Sequence, residues 1–457
     1  MSRSRRNVVL LAAVVILMWI LVGVFAALVY AGPGGGTSGF GGGGGGGGGG
    51  FSGGGGGYSG GGGSGSGQGG GTAFLIFVGA FFAFMLFSII SARMTVHRMR
   101  RRREARARAV ELAAAEAADD DAAFEAGEVR GEAAALLKLL VQSWTARDRE
   151  AMRRILAPDL MVEWERRLDD FDRKRWHNVC ELQGEPQVEY LGLVNRADDA
   201  DDRVVVRISS TQRDVVVDAH GNRMTRNDSG REIVQVSEYW TLGKRDGRWI
   251  LLSIEQDTEG AHNLDSEIVA TPWGDDDRLR DEAVTELATS DAVPDDQIAG
   301  LADLDFDGSA RAAALDLAMV DGRFAPDVLE AAARRAVAAW ADAVDGDDAA
   351  LERAATPEAV RELLYAGDAS ERTRLVVRGP RLRALRITAL HADATPPAMT
   401  VEADVSGRRY RENRDTVAVV EGSKDREVTF TERWTMTLDG DAQAPWRIAA
   451  TGAATTA

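Results

Sequence analysis

The stretches "SEYWTL" (Ser237 to Leu242) and "TERWTM" (Thr431 to Met436) each set a glutamate two residues before a tryptophan. Residues two apart on an extended strand share a face. Glu238 then lies with Val236 and Trp240, and Glu432 with Phe430 and Trp434, on the apolar side of each stretch. A carboxylate among such neighbours must find a partner or take up a proton, because an unpaired buried charge is very costly. Three roles are open to it. It can tie sheet to helices through a tryptophan N–H, an arginine or a backbone amide. It can be a pocket acid with a raised pKa, suited to general acid–base work. It can give polar recognition of a lipid or peptide. These six residues are the candidate pocket residues.

No second catalytic group falls on either face, so we expect no catalytic residue and a protein that is not an enzyme. His177 and Cys180 lie close together on another segment and read as packing. One cysteine excludes an intramolecular disulfide and a cysteine-based zinc site. The five histidines, at 97, 177, 220, 262 and 391, never recur at metal-ligand spacing, so neither metal nor cofactor is expected. "DLDFDGSARAAA" (Asp303 to Ala314) opens like a calcium loop, but its twelfth position is alanine where a bidentate glutamate belongs. It reads instead as a turn whose aspartates cap the following helix.

The elements that must hold the two glutamates come in two sets. The first opens with apolar residues at helical spacing (Leu136, Leu137, Leu140, Trp144), with Asp148 and Asp159 at N-cap positions. Strands are predicted at 188–194, 203–209, 211–217, 232–242 and 248–254, with Asp246-Gly247 turning the last hairpin. In the second set Trp340 answers Trp144 and Pro357 answers Pro158, and strands are predicted at 385–390, 399–405, 416–420, 427–438 and 446–449. Helices followed by an antiparallel meander, written twice, give an α+β class.

Upstream, Val8 to Tyr30 and Ala73 to Ile90 are apolar runs long enough to cross a bilayer. Arg3, Arg5 and Arg6 precede the first, and Arg93, Arg98 and Arg100 to Arg103 follow the second, which sets both flanks on the cytoplasmic side. The first run has an alternative reading as a cleaved signal peptide ending near Ala31. Between the runs, Gly32 to Thr72 holds more than half of the 51 glycines and is expected outside and disordered. Eight arginines (Arg93, Arg98, Arg100, Arg101, Arg102, Arg103, Arg106, Arg108) open a helical arm that then turns acidic. They either fix topology alone or also hold anionic phospholipid headgroups. The formal net charge of −17 argues against a nucleic-acid partner.

The two apolar runs, the glycine-rich stretch, the arginine-rich exit and "E-x-W-T…G-x-W-x-L-x-x-I" together resemble the bacterial Tim44-like proteins. These are relatives of the subunit that anchors the mitochondrial protein-import motor. "VVVDAHGN" and "VSEYWTLGKRDGRWILLSIEQ" carry the resemblance in the first copy; Trp340, Pro357, Glu432, Trp434 and Trp446 carry it in the second. The resemblance implies a nuclear-transport-factor-two-like (cystatin-like) cone, a curved antiparallel sheet packed on helices with an apolar mouth. It also implies membrane association through anionic lipid and binding of other proteins. The motor-docking region of the mitochondrial relative has no counterpart here.

The expected order is a first transmembrane helix (1–31), the external loop (32–72), a second transmembrane helix (73–92) and the arm (93–130). The first Tim44-like domain (131–262), an acidic helical connector (263–324) and a divergent second domain (325–457) follow. The chain is expected in the cytoplasmic membrane of a bacterium, multi-pass, with its bulk in the cytoplasm. The leading function is a scaffold binding anionic lipid and proteins at that face, linked to translocation or envelope assembly, with translocase or chaperone components as partners. A carrier of lipid or small hydrophobic ligands is the alternative, and an enzyme using Glu238 as acid or base is the third reading.

Overall fold

The computed structural model describes residues 70–225, 231–257, 259–274, 279, 281–284, 305–306, 308–441, 444–452 and 455–456. Val8–Tyr30 and the glycine-rich loop therefore lie outside the described residues. Residues from Arg106 onward in this set belong to one compact unit that holds both copies of the repeat.

Helix α1 (Gly70–Asp120) ends in an alanine-rich, acidic stretch. Val110, Ala114 and Ala117 on its last turns are fully buried in the first hydrophobic core, although the sequence assigns them to the arm. Helices α2 (Ala126–Ala146), α3 (Arg149–Ile155) and α4 (Pro158–Lys174) follow. The buried side chains of α2 (Val129, Ala133, Leu137, Leu140, Val141, Trp144) recur every three or four residues, the period of one helical face. Asp148 caps α3 as expected, accepting the Ala151 N–H at 2.9 Å. Asp159 does not cap α4. Pro158 already occupies the first helical position, and the Asp159 carboxylate instead accepts the backbone N–H of Asp348 in the second copy at 3.3 Å.

The first sheet comprises β1 (His177–Leu182), β2 (Gln187–Val194), β3 (Arg203–Val217), β4 (Arg223–Met224), β5 (Ile233–Arg245) and β6 (Arg248–Gln256). Its path runs β1–β3–β5–β6, and β2 and β4 also pair with β3, all antiparallel. Two expectations change here. The segments 203–209 and 211–217 are one strand, long enough to carry β2 and β1 in succession along the same edge. The region of His177 and Cys180, expected only as a neighbouring segment, is strand β1. The β5–β6 hairpin turns at Asp246 and Gly247, both at positive φ (53° and 70°), the geometry for which an Asp-Gly pair is suited.

The second copy runs β7 (Asp305–Phe306), α5 (Gly308–Ala318), α6 (Pro326–Asp345), α7 (Ala349–Ala354), α8 (Pro357–Tyr365), β8 (Thr373–His391), β9 (Ala398–Asn413), β10 (Val419–Gly422), β11 (Val428–Leu438), β12 (Trp446–Thr451) and β13 (Thr455–Thr456). Its sheet follows β12–β11–β9–β8–β7, with β10 on β9 and β13 on β11. Strand β8 starts twelve residues before its expected position at Leu385. Its first half, "TRLVVRGPRLR", is too rich in arginine and broken by Gly-Pro to read as a strand, and it pairs through register shifts at 378–381 and 382–384.

Both copies keep one frame. Ala114 and Ala314, Asp121 and Asp321, Phe124 and Phe324, and Asp148 and Asp348 are each separated by the same 200 positions. Helix α5 is thus the counterpart of the end of α1, and Ala314, the missing twelfth ligand of the calcium-like loop, is a fully buried packing residue. Asp303 and Asp307 of that loop lie outside the described residues. In this frame Trp340 occupies the helix position of Leu140, one turn before that of Trp144, which corrects the expected pairing.

Candidate functional site

In the first copy Trp240 and Leu242 on β5 point into the core, where they meet Trp144 and Trp164. Trp144 packs edge-on to Trp164, with centroids 5.1 Å apart and planes at 82°. The Trp144 indole donates to Asn178 Oδ1 at 2.8 Å, and Asn178 in turn donates to Asp214 Oδ1 at 2.5 Å. Cys180 joins this knot, its Sγ 3.4 Å from Asn178 Oδ1, and His177 Nε2 lies 3.0 Å from the Thr145 carbonyl. Cys180 is buried in packing, whereas His177 is exposed and only touches that carbonyl.

Glu238 sits half-buried at the mouth of this interior, near the half-buried Val236. The Trp240 indole N–H donates to Glu238 Oε2 at 3.0 Å. Burial pushes the carboxyl up to about 7, and the indole N–H pulls in the opposite direction. Of the three roles open to Glu238, the geometry makes the tryptophan pairing.

The second copy differs. Phe430 and Trp434 are fully buried, and Trp340 lies against both, at 6.2 and 5.7 Å between centroids. Glu432 is 5% exposed, and its Oε1 has no hydrogen-bond partner; neither have the indole nitrogens of Trp340 and Trp434. The pairing expected for Glu432 with a tryptophan N–H is therefore not made. The tryptophan on the helix stands one turn from where Trp144 meets Asn178, so no strand side chain answers it. Burial pushes Glu432 up to about 7, opposed by the charges of Arg409 and Arg411. The Arg409 guanidinium stands 5.2 Å over the Phe430 ring.

A repeated latch escaped the sequence reading. Trp249 donates to the Ala123 carbonyl at 3.0 Å and meets Phe124 edge-on at 5.3 Å. Trp446 donates to the Arg323 carbonyl at 3.0 Å and meets Phe324 edge-on at 5.7 Å. The only signal was "D-x-x-F" at 121–124 and 321–324, where each aspartate caps the short turn that presents the carbonyl.

Arg93, Arg98, Arg100, Arg101, Arg102 and Arg108 are exposed, and Arg103 is half-buried. Arg100 pairs with Glu104 at 2.8 Å. Arg106 does not belong with the lipid-facing set: its Nε donates to the Leu191 carbonyl at 2.7 Å, which fastens α1 to the edge of β2. Leu86, Phe87 and Ile90 on α1 are exposed apolar side chains. Among the described residues no helix is long and apolar enough to cross a membrane.

Two large cavities lie on the surface. One of about 690 Å³ runs between α2 and β1, lined by Lys138, Val141, Thr145, Leu182 and Glu185. Another of about 540 Å³ is lined by Asp120, Asp199, Lys244 and Trp273. Neither is lined by Glu238, Glu432 or their tryptophans. Lys244 lies among Asp121, Asp199 and Asp202, so the chain supplies the cation for that acidic group itself.

A curved antiparallel sheet wrapped on a long helix, closed by a tryptophan from its final hairpin and written twice, defines a tandem pair of cone domains. The Tim44-like domain family matches residues 110–256 and 310–453, and the chain belongs to that family. No curated protein matches it. The intermembrane space region of the chloroplast protein ARC6 aligns at 12% identity over 27% of this chain and 97% of its own, with a TM-score of 0.21. An Ntf2-like protein involved in plasmid conjugation aligns at 8% identity over 69% of this chain and 89% of its own, with a TM-score of 0.18. At those scores neither adds to the family assignment.

Proposed function

We propose that this chain is a non-catalytic scaffold, held at the cytoplasmic membrane by its N-terminal apolar runs, that gathers protein partners at the inner membrane face. The observation that carries the reading is the filling of both cones. Trp144, Trp164 and Trp240 occupy the first interior and Trp340, Phe430 and Trp434 the second, all of them buried. An interior filled by its own rings leaves the outer surfaces to do the binding. Membership of the Tim44-like family supports a role of this kind, linked to protein translocation. The exposed arginines Arg93, Arg98, Arg100, Arg101, Arg102 and Arg108 suit anionic phospholipid, each worth about 1 kcal/mol near a charged surface.

The test is in-cell crosslinking and purification of the full-length protein beside a variant with Arg98 and Arg100 to Arg103 changed to glutamine. Recovery of a translocase, chaperone or envelope-assembly component with the intact protein, weakened in the variant, is the expected result. A purification that yields lipid and no protein would overturn the scaffold.

A further inference from the structure

Buried charge is shared between the two copies where they meet. After β6 the chain makes a short turn (Gly260–Asp265) that lays His262 against the second copy. His262 Nε2 lies 2.7 Å from Glu255 Oε2 in its own copy and 3.9 Å from Asp345 Oδ2, at the end of α6. Arg378 on β8 donates to Asp345 Oδ1 at 3.0 Å, and Asn263 donates to Glu255 Oε1 at 3.4 Å. The backbone of β8 packs directly against the ring. Gly379, at φ +58°, lies so close that a Cβ there would stand 2.6 Å from the His262 Cβ.

The balance of charge in this cluster depends on one proton. Ionised, Glu255 and Asp345 carry two negative charges and Arg378 one fixed positive charge; burial and then Glu255 push the Asp345 carboxyl up, and His262 and Arg378 oppose them. With His262 protonated the four groups sum to zero; with His262 neutral the interface holds a net negative charge away from water, which is costly. Beyond these four, Glu259 accepts from Tyr410 on β9 at 3.3 Å and lies in the field of Lys424, Arg408 donates to the Glu259 carbonyl at 3.0 Å, and Arg381 pairs with Asp265 at 3.5 Å on the outside.

We propose that His262 is a proton-operated clasp: protonated, it locks the two cone domains into one body, and on losing its proton it lets them part. The electrostatics agree in direction. Burial and Arg378 press the imidazole toward neutrality, but Glu255 and Asp345 outweigh them and raise its pKa. Burial would lift Glu255, yet the imidazolium beside it holds that carboxyl down to about 2. A histidine raised in the folded state stabilises the contact fully below its unfolded pKa, about 6.5, and the stability is lost as pH rises through the folded value. The clasp therefore opens on the alkaline side.

Hydrogen exchange of the full chain in detergent or nanodiscs, from pH 6 to 9 and corrected for intrinsic rates, tests this. In the wild type, protection of residues 259–265 and 342–348 is expected to fall about tenfold or more across the titration, while the cores around Trp240 and Trp434 hold. His262→Gln should show the low, alkaline level of protection at every pH. Unchanged protection in the wild type, or a step that survives in His262→Gln, would overturn the clasp. Should His262→Gln fail to fold, Glu255→Gln keeps the histidine and weakens its hold, so the step must move to lower pH. A step that stays put refutes the proposal.

Discussion

Replacing Glu432 with glutamine should stabilise the second domain, and the gain should appear only as pH rises. Glu432 is 5% exposed with Oε1 unpartnered, and its carboxyl is held up to about 7 against an ordinary 4.5. The folded chain thus keeps a proton that the unfolded chain releases between those two values. Where the native state binds more protons, stability falls as pH rises, so the loss accumulates from about pH 4.5 to 7 and is complete above it. A difference of about 2.5 units at 1.36 kcal/mol each is about 3 kcal/mol. A buried glutamine amide that leaves an N–H unmade costs roughly 1 kcal/mol. The net expectation is about 2 kcal/mol in favour of Glu432→Gln at pH 8 and no gain at pH 4.5. Urea unfolding of the full chain in detergent, followed by tryptophan fluorescence at the two pH values, reads this directly as a shift in midpoint. A variant weaker than wild type at pH 8 would mean that the ionised carboxylate has a stabilising partner, and the account of an unpartnered acid would be wrong.

Trp249→Phe and Trp446→Phe each leave a backbone carbonyl without its indole donor, and each should cost about 1–3 kcal/mol in urea unfolding. Costs that differ widely between the two would show that the latches are not equivalent. Arg106→Gln should lower stability and leave binding to anionic vesicles unchanged, whereas Arg108→Gln should weaken vesicle binding in a salt-dependent way and spare stability; flotation and thermal melting separate the two. Gly379→Ala forces a methyl group into the His262 side chain at a positive φ. It should raise exchange at 259–265 at every pH, and normal protection there would contradict the close packing of that turn.

The glutamate–tryptophan pairs were legible because period-two alternation exposes a polar residue on an apolar face. That reading carried Glu238 through to its indole partner. It failed for Glu432, since whether a buried acid is answered depends on which helical turn carries the facing ring, and "AVAAW" does not reveal its register against α2. The latches were harder still: the acceptors of Trp249 and Trp446 are backbone carbonyls, and a carbonyl has no letter in a sequence. The interface between the copies was not legible at all. Glu255, Arg374 and Arg378 are charged residues that read as surface, and they are buried only because each finds its counter-charge nearby, across the interface or within its own copy. Strand β8 was half visible for the same reason: Arg374 spends its charge on the buried Asp348, and Arg378 on Asp345.

The shared frame of the two copies says how this gene has been edited since it doubled. From the end of α1 to the cap of α3, and from α5 to the cap of α7, not one residue has been gained or lost. Within that fixed length the large ring has moved from one turn to the next: leucine then tryptophan at 140 and 144, tryptophan then valine at 340 and 344. The two copies thus hold a large ring in the same layer of the core but supply it from different positions. Descendants of this duplication should carry the ring on either turn, and a copy with tryptophan on both should be overfilled and rare.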